Sequence, residues 1–274
     1  MKTLRYKSYD PSVYLLEELL NKLGYNVYIS NYFGIDTHNA IKDFQQKNNL
    51  VVDGIVGLKT WSKLLEAEQE FLKYNAKLLS EQDLIEFSQT YNLDLAVVKA
   101  VNEIESSGKG FLTDGRPKIL FEGHIFWREL KNRGIDPSTL VNNNSKDVLY
   151  DKWTKKYYLG GSGEYKRLEK ALKLSPAGEV HDAAYCSASW GAFQIMGYHY
   201  NSLGYNSIDD FVKKMYDHER EHLRAFGKFL EVNNLIRHLK NKDWTKFAKG
   251  YNGTGYKLNK YDEKLEKAYK KYSS

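Results

Sequence analysis

The chain carries a single cysteine, Cys186, in 274 residues. One cysteine cannot form an internal disulfide, so no covalent framework holds the fold. The same count excludes a cysteine-rich zinc site. Cys186 sits in Ala183-Ala184-Tyr185-Cys186-Ser187, without a pattern that supports a thiol nucleophile, and reads as a small packed side chain. No apolar run approaches the ~20 residues of a membrane-spanning helix. None of roughly 7–15 residues follows Met1, as a secretory signal peptide would require. The expectation is a protein made in the cytoplasm without a signal peptide, which reaches an external target only after release or export. No run of Lys and Arg forms a basic arm, which argues against nucleic acid. The net charge of +6, from 41 basic and 35 acidic residues, suits an anionic polymer surface such as a bacterial cell wall.

What is present is aromatic: 22 Tyr and 5 Trp. Aromatic faces can stack on sugars, although packing is the simpler account of any single ring. The length favours two domains. Val13, Leu15, Leu16, Leu19, Leu20 and Leu23 recur at helical spacing, with Asp10-Pro11 as a start and Gly24 as a stop. A second helix runs through Ala40, Ile41, Phe44 and Gln45 and ends at Asn48-Asn49. A turn, Asp53-Gly54-Ile55-Val56-Gly57, leads to a third through Thr60, Trp61, Leu64 and Leu65. Leu16, Leu20, Ile41, Phe44 and Trp61 can close a minimal core.

Thr37, Ala40, Phe44-Gln45, Asp53-Gly54-x-x-Gly57 and Thr60-Trp61 fall at the spacing of a known module. Residues 12–65 resemble the three-helix peptidoglycan-binding domain. Most of that motif is structural. Gly54 and Gly57 permit a tight turn, Asp53 can satisfy turn amides, and Thr60 can hold the last helix. The resemblance implies that bacterial peptidoglycan is the partner. The expected organisation is a binding domain over 1–66, a linker helix over 67–79 and a second domain over 80–274. Ser80 opens the latter as an N-cap, with Asp83 three residues on.

In the second region, Val97, Val98, Val101 and Ile104 define the apolar arc of a helix expected to end near Gly108. Glu105 falls inside that arc and Glu103 on the opposite face. A carboxyl on the buried side of a helix end loses hydration, which raises its pKa and makes it a usable acid near neutral pH. A buried Glu held by a structural partner would look the same. Further landmarks follow: the β-prone run Lys118 to Phe121 with Glu122-Gly123-His124, then Ser189-Trp190-Gly191-Ala192-Phe193-Gln194-Ile195-Met196-Gly197, then Ala248-Lys249-Gly250-Tyr251-Asn252-Gly253.

Glu-Ser, Gly-x-x-Gln and Ala-x-x-Tyr-Asn in this order resemble the goose-type lysozyme and lytic transglycosylase superfamily. More closely, residues 80–272 resemble the N-acetylmuramidase domain of modular phage endolysins. The resemblance implies a mostly α fold: a small three-helix module plus a lysozyme-like helical domain with a short β element. It implies a monomeric glycosidase, cutting between N-acetylmuramic acid and N-acetylglucosamine without a cofactor. Glu105 would protonate the glycosidic oxygen. Ser106, Gln194, Tyr251 and Asn252 would bind sugar or orient Glu105. Glu122 is the candidate second carboxylate, as base or nucleophile, with Asp114 as the alternative and structural pairing of Glu122 also open. Gly123 departs from the family, which usually carries Arg there. A lytic transglycosylase and a wall-binding protein with an inactive second domain remain open.

His218-Glu219-Arg220-Glu221-His222 matches the zinc-protease pattern H-E-x-x-H. Read as one helix, it puts both His on one face beside Met215, Phe226 and Phe229. A third ligand is required, and Lys228 stands where such a His would be. The expectation is two hydrogen-bonded histidines and no metal, with a zinc-dependent peptidase or amidase as the lesser alternative.

Overall fold

The computed structural model describes residues 2–106 and 110–273. Ser107 and Gly108, expected at the end of the Glu105 helix, lie outside the described residues. The chain forms two compact units, Met1–Ala76 and Lys77–Ser274.

In the first unit, α1 (Pro11–Lys22) starts where the Asp10 carboxylate accepts from Ser12 N and Pro11 occupies the first turn. Gly24 follows at φ 90°, a conformation that ends the helix at little steric cost. α2 is Ile35–Lys47 and α3 is Leu58–Asn75. Leu16, Leu20, Ile41, Phe44 and Trp61 are all buried at the centre. Gln45 secures the turn before α3. Its amide donates to Asp53 Oδ1 and Ile55 O, each at 3.0 Å, and its carbonyl accepts from Gly54 N at 2.8 Å. Of the linker helix expected over 67–79, residues 67–75 are helical. Residues 67–75 continue α3, because no Gly or Pro interrupts the run from Leu58 to Asn75.

The second unit begins with α4 (Glu81–Tyr91), opened by a capping box between Ser80 and Asp83. The helix α5 (Leu95–Glu105) follows, with Val97, Val98 and Val101 buried. Next come β1 (Ile119–Phe121), α6 (Gly123–Asn132), α7 (Gly163–Leu172) and α8 (Gly178–Cys186). Then β2 (Ala188–Trp190) and β3 (Ile195–Met196) complete a small antiparallel sheet in the order β1-β2-β3. Its register pairs Ile119 with Trp190 and Trp190 with Ile195. The chain ends in α9 (Ile208–Asp217), α10 (Glu219–Val232), α11 (Ile236–Lys240), α12 (Trp244–Asn252), α13 (Tyr256–Asn259) and α14 (Tyr261–Tyr272). The helix α14 packs on α5 and α12 packs on α14, which brings the end of α12 to the end of α5. The unit is thus mostly α with one short sheet, and the first is a small helical module.

Candidate active site

Glu105 is the last residue of α5 and is partly buried. Burial pushes its carboxyl up to about 7, and one hydrogen bond, from Asn252 Nδ2 to Oε1 at 3.2 Å, pulls the other way. The main cause is desolvation of the charged form. Two residues earlier, Glu103 is exposed and pairs with Lys271 Nζ at 2.7 Å and Tyr272 OH at 2.6 Å. Those partners hold its pKa below the usual carboxylate range.

Asn252 ends α12, and Tyr251 beside it donates to Phe193 O at 2.9 Å. The Tyr251 ring stacks on Phe247 and meets Phe226 and Phe229 edge-on. Its phenol pKa is raised by burial and, next, by the charge of Glu105. Tyr261, the first residue of α14, is raised by the same two causes. It belongs to the surroundings of Glu105, and no motif singles it out among 22 tyrosines.

Gln194 lies in the turn joining β2 to β3 with φ 50°. Its amide donates to Gly191 O at 2.8 Å and its carbonyl accepts from Ser189 Oγ at 2.8 Å. These bonds hold a non-glycine residue in the left-handed region, a strained state that recurs at binding sites. Gln194, Gly191 and Ala192 line an open cleft of about 280 Å³ together with Ser106, Leu112, Lys118, Ile119 and Gly161. That volume lies near the lower end of small-molecule sites, roughly 300–1,000 Å³. Ser106, buried at the C-terminal cap of α5, therefore places one wall of the cleft directly after Glu105. The structure brings Ser106 and Gln194 to one cleft, and Asn252 and Tyr251 to Glu105.

Glu122 caps the start of α6 rather than lying in the strand. Its Oε2 accepts from Tyr158 OH at 2.6 Å and stands 3.4 Å from His124 Nδ1. Asp114 is different: Arg116 grips one of its oxygens through Nε and Nη2 at 3.0 and 2.7 Å and holds its pKa down. The departure at Gly123 has a steric reason. A Cβ there would meet Tyr150 Cε1 at 2.3 Å and Val148 O at 2.8 Å, so the segment 148–150 fills the space a side chain would need. Tyr150 OH accepts from Gly123 N and from Arg167 Nη2. Arg167 and Glu164 form an ion pair at 2.8 Å, each about 1% exposed. Glu164 also accepts from the backbone of Phe121, Leu159 and Gly160. A buried pair this fully hydrogen-bonded ties the irregular stretch before α7 to β1. Sequence reading missed it because a Glu and an Arg three apart on a helix look like a surface pair.

The histidine pair is corrected. His218 is extended, at φ −161°, and is the N-cap of α10, where its Nδ1 accepts from Arg220 N. The H-E-x-x-H segment is therefore not one helix: His218 stands outside α10 and His222 within it. His222 is buried with both nitrogens engaged: Nδ1 accepts from Ala192 N at 3.1 Å, and Nε2 donates to Met215 O at 2.7 Å. Burial pushes it down to about 4, so it is neutral at pH 7. Glu219 accepts from Gly110 N and Leu79 N. A Cβ at Gly110 or Gly191 would fall within 2.6 Å of the His222 ring. His222 and Glu219 thus anchor the backbone at Gly110 and Ala192, behind the cleft.

Two family models match the chain. Residues 94–273 match N-acetylmuramidase, and residues 9–64 match the putative peptidoglycan binding domain. Among solved structures, the chain is similar to the crystal structure of Burkholderia AP3 phage endolysin. The two share 38% identity, with a TM-score of 0.66, covering 100% of this chain and 98% of that one.

Proposed function

Since the chain belongs to the N-acetylmuramidase family, and is a glycoside hydrolase acting on peptidoglycan, we propose that Glu105 is its general acid. The bond cut is then the glycosidic bond between N-acetylmuramic acid and N-acetylglucosamine. The observation that carries this reading is the place of Glu105, partly buried at the end of α5 directly before Ser106 of the cleft lining, where desolvation raises its carboxyl to about 7. At neutral pH a substantial fraction keeps its proton and can deliver it to the departing sugar oxygen. Asn252 fixes the carboxyl by donating to Oε1, which leaves the other oxygen to carry the proton. Ser106 and Gln194, which both line the cleft, would take hydrogen bonds to the sugar. Tyr251 keeps Phe193, and with it the Gln194 turn, in register with α12.

Glu122 is the second carboxylate in this reading. Ionised, it would act as base or nucleophile, and its Oε2 is already positioned by the hydrogen bond from Tyr158 OH. Asp114 is the weaker candidate, since Arg116 already occupies it. The N-terminal unit would hold the enzyme on the wall and raise the local concentration of cleavable bonds. No metal ion enters the scheme: His222 has no free nitrogen for one, and His218 lies off the helix.

The test is release of reducing sugar from purified walls by the wild type and by Glu105→Gln. The wild type should release it, and the variant should fall by roughly 10²–10⁴ in rate while keeping its fold. Near-wild-type release by the folded variant would remove Glu105 from the role.

A further inference from the structure

The cleft lined by Ser106 and Gln194 has one charged residue in its lining, Lys118, and no carboxylate. Lys118 stands immediately before β1 and is half-buried. Its backbone is fixed from two sides. The N–H donates to Gly110 O at 2.7 Å, and the carbonyl accepts from Gly191 N at 2.8 Å. The same carbonyl accepts from Gln194 Nε2 at 3.4 Å, and that amide also donates to Gly191 O. The root of the lysine chain is therefore held beside the Gln194 turn.

A lysine in the wall of a cleft has three ordinary uses. It can neutralise a protein carboxylate, donate to a protein carbonyl, or meet a ligand. Among the described residues, the Lys118 ammonium makes neither an ion pair nor a hydrogen bond. Asp114, the acid four residues upstream, is already gripped by Arg116 at 2.7 Å. Leu112, Ile119 and Ala192 give the cleft apolar surface. A single charge between low-dielectric walls acts more strongly than one on an open face, and it selects a ligand group of opposite sign.

Peptidoglycan offers such a group at one place on its repeat. The hexosamine rings carry hydroxyls and N-acetyl groups, which are neutral. The carboxylates sit on the lactyl arm of the muramic acid: the lactyl carboxyl itself where it is free, or the carboxyls of the stem peptide where one is attached. We infer that Lys118 is an anion subsite of the cleft, which takes a carboxylate borne on the lactyl arm and so distinguishes the wall polymer from a neutral chain of N-acetylglucosamine. The inference rests on the glycosidase reading and adds a substrate-selecting residue to it. Ser106 and Gln194 can bond hydroxyls and amides that both polymers present. Lys118 supplies the contact that only the wall polymer answers.

The test is steady-state release of reducing ends by the full chain from solubilised glycan strands in three forms. One carries its stem peptides, one has them removed by an amidase so that the lactyl carboxyl is free, and one has its carboxyls converted to methylamides. The wild type should show a KM roughly tenfold lower on charged strands than on methylamide strands. That advantage should shrink as salt is raised. Lys118→Met keeps the length of the side chain without its charge and should lose the advantage, whereas Lys118→Arg should keep most of it. Lys118→Gln repeats the test should the methionine variant fail to fold. Loss on both charged forms assigns the lactyl carboxyl, and loss on stem-bearing strands alone assigns the stem. A wild type indifferent to the methylamides, or a folded Lys118→Met with the wild-type preference, would overturn the subsite. A wild type that releases no reducing ends from any form would instead overturn the glycosidase reading, and calorimetric binding of the three strands to wild type and Lys118→Met would still decide on Lys118.

Discussion

Glu103 and Glu105 stand two positions apart on one helix and meet opposite environments. Glu103 is exposed and gripped by Lys271 and Tyr272, which depress its pKa. Glu105 is turned inward, and loss of water raises its pKa to about 7. A step of two positions along the helix therefore separates a surface carboxylate whose partners favour its charged form from a carboxyl that can hold a proton at neutral pH. Glu103→Gln should leave wall lysis near the wild-type rate, because its partners are solvated and worth little. A loss in Glu103→Gln equal to that in Glu105→Gln, with folding intact in both, would contradict this division.

The pH dependence has a definite sign. A general acid must be protonated, so turnover should fall as pH rises through about 7, the value of Glu105. The stability effect runs the same way. A carboxyl whose folded pKa lies above its unfolded one supports the fold fully below the unfolded value and loses that support as pH rises through the folded value. Between about pH 4 and pH 9 the wild type should lose about 3 kcal/mol from this group, and Glu105→Gln should not. Denaturant melts of both proteins across that range check it. Parallel curves would show that Glu105 is not desolvated.

The first unit closes its own core around Leu16, Ile41, Phe44 and Trp61. Residues 1–76 alone should therefore fold, and should sediment with purified peptidoglycan without releasing reducing ends. A folded fragment that stays in the supernatant would deny it a role in wall attachment.

His222 is predicted to matter for stability. His222→Ala removes the acceptor for Ala192 N and the donor to Met215 O and leaves a void against Gly110 and Gly191. The cost should be about 3 kcal/mol in a chemical denaturation. Added zinc should restore nothing, and a chelator should leave the wild type active. Activity lost in chelator and regained with zinc would return the metal reading that the geometry disfavours.

Gly123→Ala should also destabilise, by about 1–3 kcal/mol, because its new Cβ must displace the Tyr150 ring or the Val148 carbonyl. A variant as stable as the wild type would mean that the 148–150 segment yields easily.

Several of these features were legible in the sequence for physical reasons. Asp10-Pro11, Gly24 and the Ser80–Asp83 box are local signals, and local rules decide them. The inward turn of Glu105 follows from helix periodicity alone. Other features depend on distant residues. Whether Glu164 and Arg167 were buried was set by the loop that covers them, not by their own spacing. Tyr158 reached Glu122 across 36 positions, and Tyr261 reached the neighbourhood of Glu105 through the packing of α14 on α5. The single helix expected through the two histidines failed for the converse reason. The pattern presumed one helix, while His218 spends its ring on capping α10 and so stands outside it.

The most direct measurement is mass spectrometry of the fragments released from purified wall. General acid catalysis by Glu105 with water as the acceptor predicts muropeptides that end in a reducing N-acetylmuramic acid, with their stem peptides uncut. Fragments ending in 1,6-anhydro sugar would replace hydrolysis by transglycosylation at the same acid, and fragments cut only in the stem peptides would contradict the assignment of the chemistry to Glu105.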